Sequence, residues 1–198
     1  MTLTLAPPTR CFLMEATDLY SRYLRRYANG PHPCPGPRLR YHDATRLVGT
    51  DLPLELSQNK ESDYQTEFLP AGDPRWPTRC AACGYEFQPL DPRQWQTVRL
   101  YRSPVSGARL SLADAPTGAL WFADWFGKSR RWVGPDGRCL CVQTPGGPWC
   151  VDAPESGGRG KSTGGWQRVG VPPVTSAHPS VLIGGWHGWL REGRLVTA

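Results

Sequence analysis

Cys80 and Cys83, separated by two alanines and followed by Gly84, form a C-x-x-C-G knuckle between a proline-rich approach and the aromatic segment Tyr85-Glu86-Phe87. Two thiolates at this spacing grip one tetrahedral ion. A glycine after the second sulfur accepts the positive φ of a tight turn that aims backbone N–H groups at the thiolates. The knuckle therefore reads as half of a zinc site. The remaining ligands closest in sequence are Cys34, in Pro33-Cys34-Pro35, and His42, in Tyr41-His42-Asp43-Ala44. Cys34, His42, Cys80 and Cys83 make a closed set of three sulfurs and one imidazole. With no position open to water, the expected zinc is structural and stabilises folding rather than activating a nucleophile. The competing reading is a pair of ordinary thiols in a turn. A thioredoxin-like redox pair would need a βαβ context that the sequence lacks.

Cys139, Cys141 and Cys150 form a second group. A turn centred on Pro145-Gly146 pairs Thr144 with Gly147, sets Cys141 opposite Cys150, and leaves Cys139 on the same face two residues on. Opposed strand residues lie about 4.5 to 5.5 Å apart at Cα, inside the window that a disulfide requires. The cysteine count of 7 is odd, and the N-terminus lacks the basic segment and apolar core of a secretory signal, so a reducing compartment is expected. There the three thiols read as small apolar side chains in a core, and as second-choice ligands for the knuckle.

Other patterns carry less chemistry. Gly160-Lys161-Ser162-Thr163 imitates a phosphate loop, but Glu155 stands where the leading glycine is required and no apolar strand precedes it, which excludes nucleotide binding. His178 and His187 have no identifiable nucleophile partner, so no catalytic constellation is expected. The basic-aromatic clusters Arg22-Tyr23-Leu24-Arg25-Arg26-Tyr27 and Lys128-Ser129-Arg130-Arg131-Trp132 have the residue types for stacking bases and neutralising phosphates. They equally describe the outer edge of an element with aromatics inward and Arg outward. Trp121-Phe122-Ala123-Asp124-Trp125-Phe126 reads as core or partner interface.

The elements that must position these groups are short and turn-rich. Gly 22 and Pro 21 together make about a fifth of the 198 residues, against a usual share of about an eighth. Ala16 to Tyr27 has the three-and-four spacing of an amphipathic helix ended by Asn29-Gly30. A strand pair turned at Thr17-Asp18 is the alternative. Alternating prolines from Pro31 to Pro37 hold the chain around Cys34 in an extended loop. Ser57 to Asp63 is a polar excursion and the best internal boundary. From Trp95 onward a β-meander is expected: Gln96 to Arg102, a turn, Ala108 to Leu112. A hairpin at Gly134-Pro135-Asp136-Gly137 follows, then the turn at Pro145-Gly146-Gly147. Val181 to Ile183 and an aromatic return through Trp189-Leu190 close the chain. The fold expected is mainly β, α+β with a minor helix: one loop-rich antiparallel domain over 1–198, a zinc-knuckle element near 30–90, and a flexible glycine-rich loop at 153–165.

Net charge is +6, and all but Lys60, Lys128 and Lys161 of the 23 basic residues are Arg. Planar guanidinium suits phosphate or carboxylate recognition, but a codon bias toward Arg, Pro, Gly and Trp explains the same composition. No apolar run approaches the ~18 residues of a membrane span.

The segments Arg25-Arg26-Tyr27, Tyr41-His42-Asp43-Ala44, Cys80 to Gly84, Gly134 to Gly137 and His187-Gly188-Trp189-Leu190 resemble a group of uncharacterised tailed-bacteriophage proteins. The resemblance covers most of the chain. It implies a cysteine before a Tyr-His pair as ligands with the knuckle, so Cys34 and His42, and packing roles for Cys139, Cys141 and Cys150. It implies no activity. The function expected is a non-enzymatic, zinc-stabilised interaction or structural protein, meeting virion or host proteins in the virion or host bacterial cytoplasm. A zinc-ribbon-like nucleic-acid binder is the alternative.

Overall fold

The computed structural model describes residues 7–30, 32–35, 41–53, 64–65, 69–126, 133–153 and 167–198. The readings at Ser57 to Asp63, Lys128 to Trp132 and Gly157 to Gly165 lie outside them. The fold is mainly β, with antiparallel sheets, and among the described residues the only helical pieces are two 3-10 turns, Leu112–Asp114 and Asp124–Phe126. Instead of one core, the chain divides into two compact units, one of Met1–Glu15 with Tyr101–Ala198 and one of Ala16–Leu100. Neither division falls at the polar excursion.

In the first unit, β1 (Thr9–Arg10), β14 (Arg194–Thr197), β13 (Trp186–Arg191), β12 (Val174–Ile183) and β11 (Gln167–Val171) form an antiparallel sheet in that order. A second sheet runs β10 (Gly147–Cys150), β9 (Leu140–Thr144), β8 (Ala119–Phe122), β2 (Phe12–Leu13), with β2 parallel to β8. Alternation along β8 and β9 sends Leu120, Leu140 and Val142 to one face, where they pack with Trp149, Ala177, Val181, Leu190 and Leu195 from both sheets. Ala119, Trp121 and Cys141 point the other way, into a separate cluster with Met14, Tyr101 and Cys139. The middle sheet is thus buried on both faces. This explains its near-continuous apolar runs.

The expected turn at Pro145-Gly146 is present. Thr144 pairs with Gly147, and Cys141 with Cys150. The Pro135-Asp136 turn closes through Gly134 N–H to the Arg138 carbonyl, 2.9 Å, with Gly137 at φ 74°. Several strands have no counterpart in the sequence reading, among them Ala119–Phe122, Gln167–Val171 and β14, into which Glu192-Gly193 turns the chain from β13.

In the second unit, β4 (His42–Pro53), β3 (Glu15–Ala28), β6 (Arg93–Arg102) and β5 (Tyr64–Gln65) lie in that order; the ends of β3 and β6 belong to the first unit, where β7 (Arg109–Leu110) pairs with β6. The helix expected over Ala16 to Tyr27 is corrected by β3, a strand of 14 residues. The cause lies in its pairing with β4, whose register shifts between Tyr20 and Arg22 and again between Arg22 and Tyr23. These irregularities reverse which parity faces inward: Ser21, within the first of them, is buried, and Leu24, Arg26 and Ala28 are buried after them. A strand with its alternation broken once imitates helical spacing.

Candidate metal centre

β3 and β4 deliver two parts of the site. Ala28, the last residue of β3, pairs with His42, the first of β4, and the connection between them carries Cys34. Ala44 shares the inward face with His42, and the small Ala28 and Ala44 leave room beside the sulfurs. The knuckle is a short turn of its own. Cys80 N–H donates to the Tyr85 carbonyl at 2.8 Å, and Gly84 N–H to the Cys80 carbonyl at 3.0 Å with Gly84 at φ 76°. An isolated bridge between Arg79 and Glu86 closes its base. Ala81 N–H donates to the Asp43 carbonyl at 3.2 Å, which ties the knuckle to the strand that carries His42.

The structure brings Cys34, His42, Cys80 and Cys83 together, with their donor atoms within 4.8 Å of one another. Cys34 Sγ lies 3.7 Å from Cys80 Sγ and 3.9 Å from Cys83 Sγ, and His42 Nδ1 lies 3.1 Å from Cys83 Sγ. Cys34, His42 and Cys80 are buried, and Cys83 forms the exposed side. His42 Nε2 is 3.1 Å from the His32 carbonyl oxygen, which can only accept, so Nε2 carries the proton and Nδ1 offers its lone pair to the sulfurs' side. The imidazole stacks on Tyr85 with centroids 4.1 Å apart and planes 16° from parallel. Asp43, beside His42, is gripped by Arg25 through three hydrogen bonds of 3.0, 3.2 and 2.7 Å.

Burial pushes the Cys80 thiol up. Backbone N–H groups of Ala82, Asp43 and Cys83, and the Cys83 thiol, more than offset it and bring Cys80 down to about 6. A thiol so placed is readily available as thiolate, the form a metal requires.

Sequence reasoning missed the supporting residues. Gly30, read as a helix stop, has no room for a side chain because a Cβ there would run into His42 Nε2. The His32 carbonyl that fixes the ring's tautomer left no signal, since a backbone oxygen has no side-chain identity. Tyr85 was visible only as an aromatic after the knuckle.

Among the described residues, Cys139, Cys141 and Cys150 form the other group whose donors lie within 4.8 Å of one another, a set that could hold an ion. Nearby, Asp152 accepts from Leu140 N–H at 2.7 Å and from Arg168 Nε at 3.0 Å, and Arg168 also binds Asp136 at 2.6 Å. Of the remaining candidates, Trp121 is buried while Trp125 is half exposed. His187 is exposed, with Nε2 3.1 Å from Ser180 Oγ. Among the described residues, no helix is long and apolar enough to cross a membrane. Compared with protein-family models, curated proteins and solved structures, the chain matches none.

Proposed function

We propose that this chain is a non-enzymatic binding or structural protein whose 16–100 unit is held by one structural zinc ion at Cys34, His42, Cys80 and Cys83. The closed donor set carries the reading. Two thiolates bound to one tetrahedral ion at ~2.3 Å each stand about 3.8 Å apart, and the Cys34 sulfur separations of 3.7 and 3.9 Å bracket that value. Three sulfurs and one imidazole in this geometry suit zinc, and four protein donors leave no position for water or substrate. The unit's small apolar cluster of Ala28, Cys34, Ala44, Cys80 and Phe87 is the kind of core that a metal must supplement.

The charge balance favours a protein partner over nucleic acid. Within 16–100, Arg and Lys number 11 and Asp and Glu 10. Arg25, Arg75, Arg79 and Arg99 each pair with a carboxylate, and Arg26 is buried. Arginine already occupies one face of three of the rings that would stack bases, Trp95 by Arg22, Tyr27 by Arg25 and Tyr20 by Arg99. The resemblance to tailed-bacteriophage proteins extends the proposal to a virion component or host-factor binder, working in the virion or the host bacterial cytoplasm.

Metal analysis of purified protein tests the centre: one zinc per chain is expected, lost in Cys80→Ser. A metal-free sample that keeps the folded spectrum would overturn it. Cosedimentation with particles tests the virion role. Retention on a DNA column that falls steeply with salt would instead favour the nucleic-acid reading.

A further inference from the structure

The sulfurs of the first unit sit in a different chemical setting. Cys150 ends β10 directly opposite Cys141, and its Sγ is 3.0 Å from Cys139 Sγ. This is closer than the ~3.5 to 4.0 Å at which unbonded heavy atoms usually rest. The hairpin explains the convergence. Pro148, which has no N–H, faces Gln143 at a position that needs no ladder bond. Two residues on, Cys141 and Cys150 fall at the same kind of non-hydrogen-bonded pair, where Cα atoms approach to about 4.5 Å. Val151 N–H to the Leu140 carbonyl, 2.8 Å, closes the ladder beyond them.

The surroundings are apolar apart from the Asp152 carboxylate, which Arg168 and Leu140 N–H hold nearby. Cys139 and Cys141 belong to the cluster with Met14, Ala119, Trp121 and Ala123, and only Cys150 is partly exposed. Such a pocket does not support three thiolates. Burial, then the neighbouring Cys150, pushes the Cys139 thiol up, and donation to Cys150, then burial, does the same for Cys141. Cys150 receives the Cys141 hydrogen bond, is opposed by its own burial, gains a second hydrogen bond from Cys139, and comes down to about 7. Of the three, Cys150 is thus the sulfur most readily charged and the one that solvent reaches, with Cys139 Sγ 3.0 Å away, which is the starting arrangement for sulfur oxidation.

We infer that Cys150 and Cys139 are a hydroperoxide-oxidisable pair, in which Cys150 is the attacking sulfur and Cys139 resolves it into an intramolecular disulfide. The Cys150 thiolate attacks one peroxide oxygen, the O–O bond breaks, and the leaving hydroxide takes a proton to become water. The sulfenic acid formed on Cys150 is then attacked by Cys139 sulfur, whose proton leaves with the hydroxyl as a second water. Two thiols are oxidised by two electrons, and one peroxide is reduced. Cys141, opposite Cys150, is the thiol that takes over when Cys139 is removed.

The test treats the full-length, zinc-loaded chain with hydrogen peroxide at neutral pH, blocks remaining thiols, and maps peptides by mass spectrometry. The expected product has lost the mass of two hydrogens and carries a Cys139–Cys150 cross-link. Cys150 should react at least about tenfold faster than Cys11, a buried thiol pushed up to about 11 that serves as internal control. Cys139→Ser should leave a dimedone-trappable sulfenic acid on Cys150 or divert the bond to Cys141, and Cys150→Ser should abolish both products. Oxidation of Cys150 no faster than Cys11, or a second zinc per chain lost in Cys139→Ser, overturns the inference. Because the unmutated chain gives the first readout, a variant that fails to fold does not blunt the test. One zinc per chain with no cross-link would sink this inference alone and leave the metal centre standing.

Discussion

Around Cys80, three backbone N–H groups and a neighbouring thiol surround the sulfur and favour its charge, while Cys141, donating to Cys150 and buried beside Trp121 and Ala119, is pushed the opposite way. Both groups bring three sulfurs within reach of one another. The first adds an imidazole with a fixed tautomer and turns that expose amide dipoles. The second adds mostly strand neighbours whose amides are committed to a ladder, with Asp152 N–H, past the strand end, left to donate to Cys150. The backbone conformation carrying the sulfurs therefore sets their charge as much as the number of cysteines does. A knuckle turn presents several free amides to one sulfur, and a paired strand few.

That contrast can be broken at several points. The largest effect belongs to Cys80→Ser. Structural zinc contributes about 10 to 16 kcal/mol of apparent binding energy in small domains, so the 16–100 unit should lose its cooperative transition in calorimetry while the other unit keeps its own. In the zinc-loaded chain the pH effect has a definite sign: the sulfurs bind metal only as thiolates, so zinc retention against a chelator should fall as the solution is acidified and protons compete for Cys34, Cys80 and Cys83.

Next comes Arg168→Ala, beside the second sulfur group. Arg168 and Asp152 are both almost fully buried and hydrogen-bonded, so removing the guanidinium strands a carboxylate and should cost about 3 to 5 kcal/mol by urea unfolding. Its other partner adds a pH test. Burial raises the Asp136 carboxyl, but hydrogen bonds from Arg168 and from Arg138 N–H hold it below the ordinary range. Its stabilisation is present above the usual carboxylate pKa and lost as pH falls through the lowered one. The stability gap between wild type and Asp136→Asn should therefore narrow in acid.

Gly30→Ala sharpens the comparison without touching a ligand. Its Cβ would displace the His42 ring, and zinc affinity in a chelator competition should fall by about 10- to 100-fold. Cys141→Ala should be smallest, about 1 kcal/mol in stability, with zinc content unchanged.

The four sulfur and nitrogen ligand candidates were legible because C-x-x-C-G is a local device and its partners both precede it within the same unit. The Cys141–Cys150 register was equally legible, since Pro145-Gly146 fixes the turn and pairing then counts itself out by twos. The helix misreading at Ala16 to Tyr27 arose from the register shifts near Arg22, which depend on what β4 presents across the ladder. The two-unit division was hidden because one unit takes both chain ends. The short closing strand β14 carries too few residues for alternation to declare it.

The pair β8 and β9 has a strand on either side and packed side chains above and below. Amide protons there have neither an edge nor a face from which solvent can enter. In deuterium exchange, Leu120 and Val142 should be among the last to label in their unit, at a rate set by its global opening rather than local fraying.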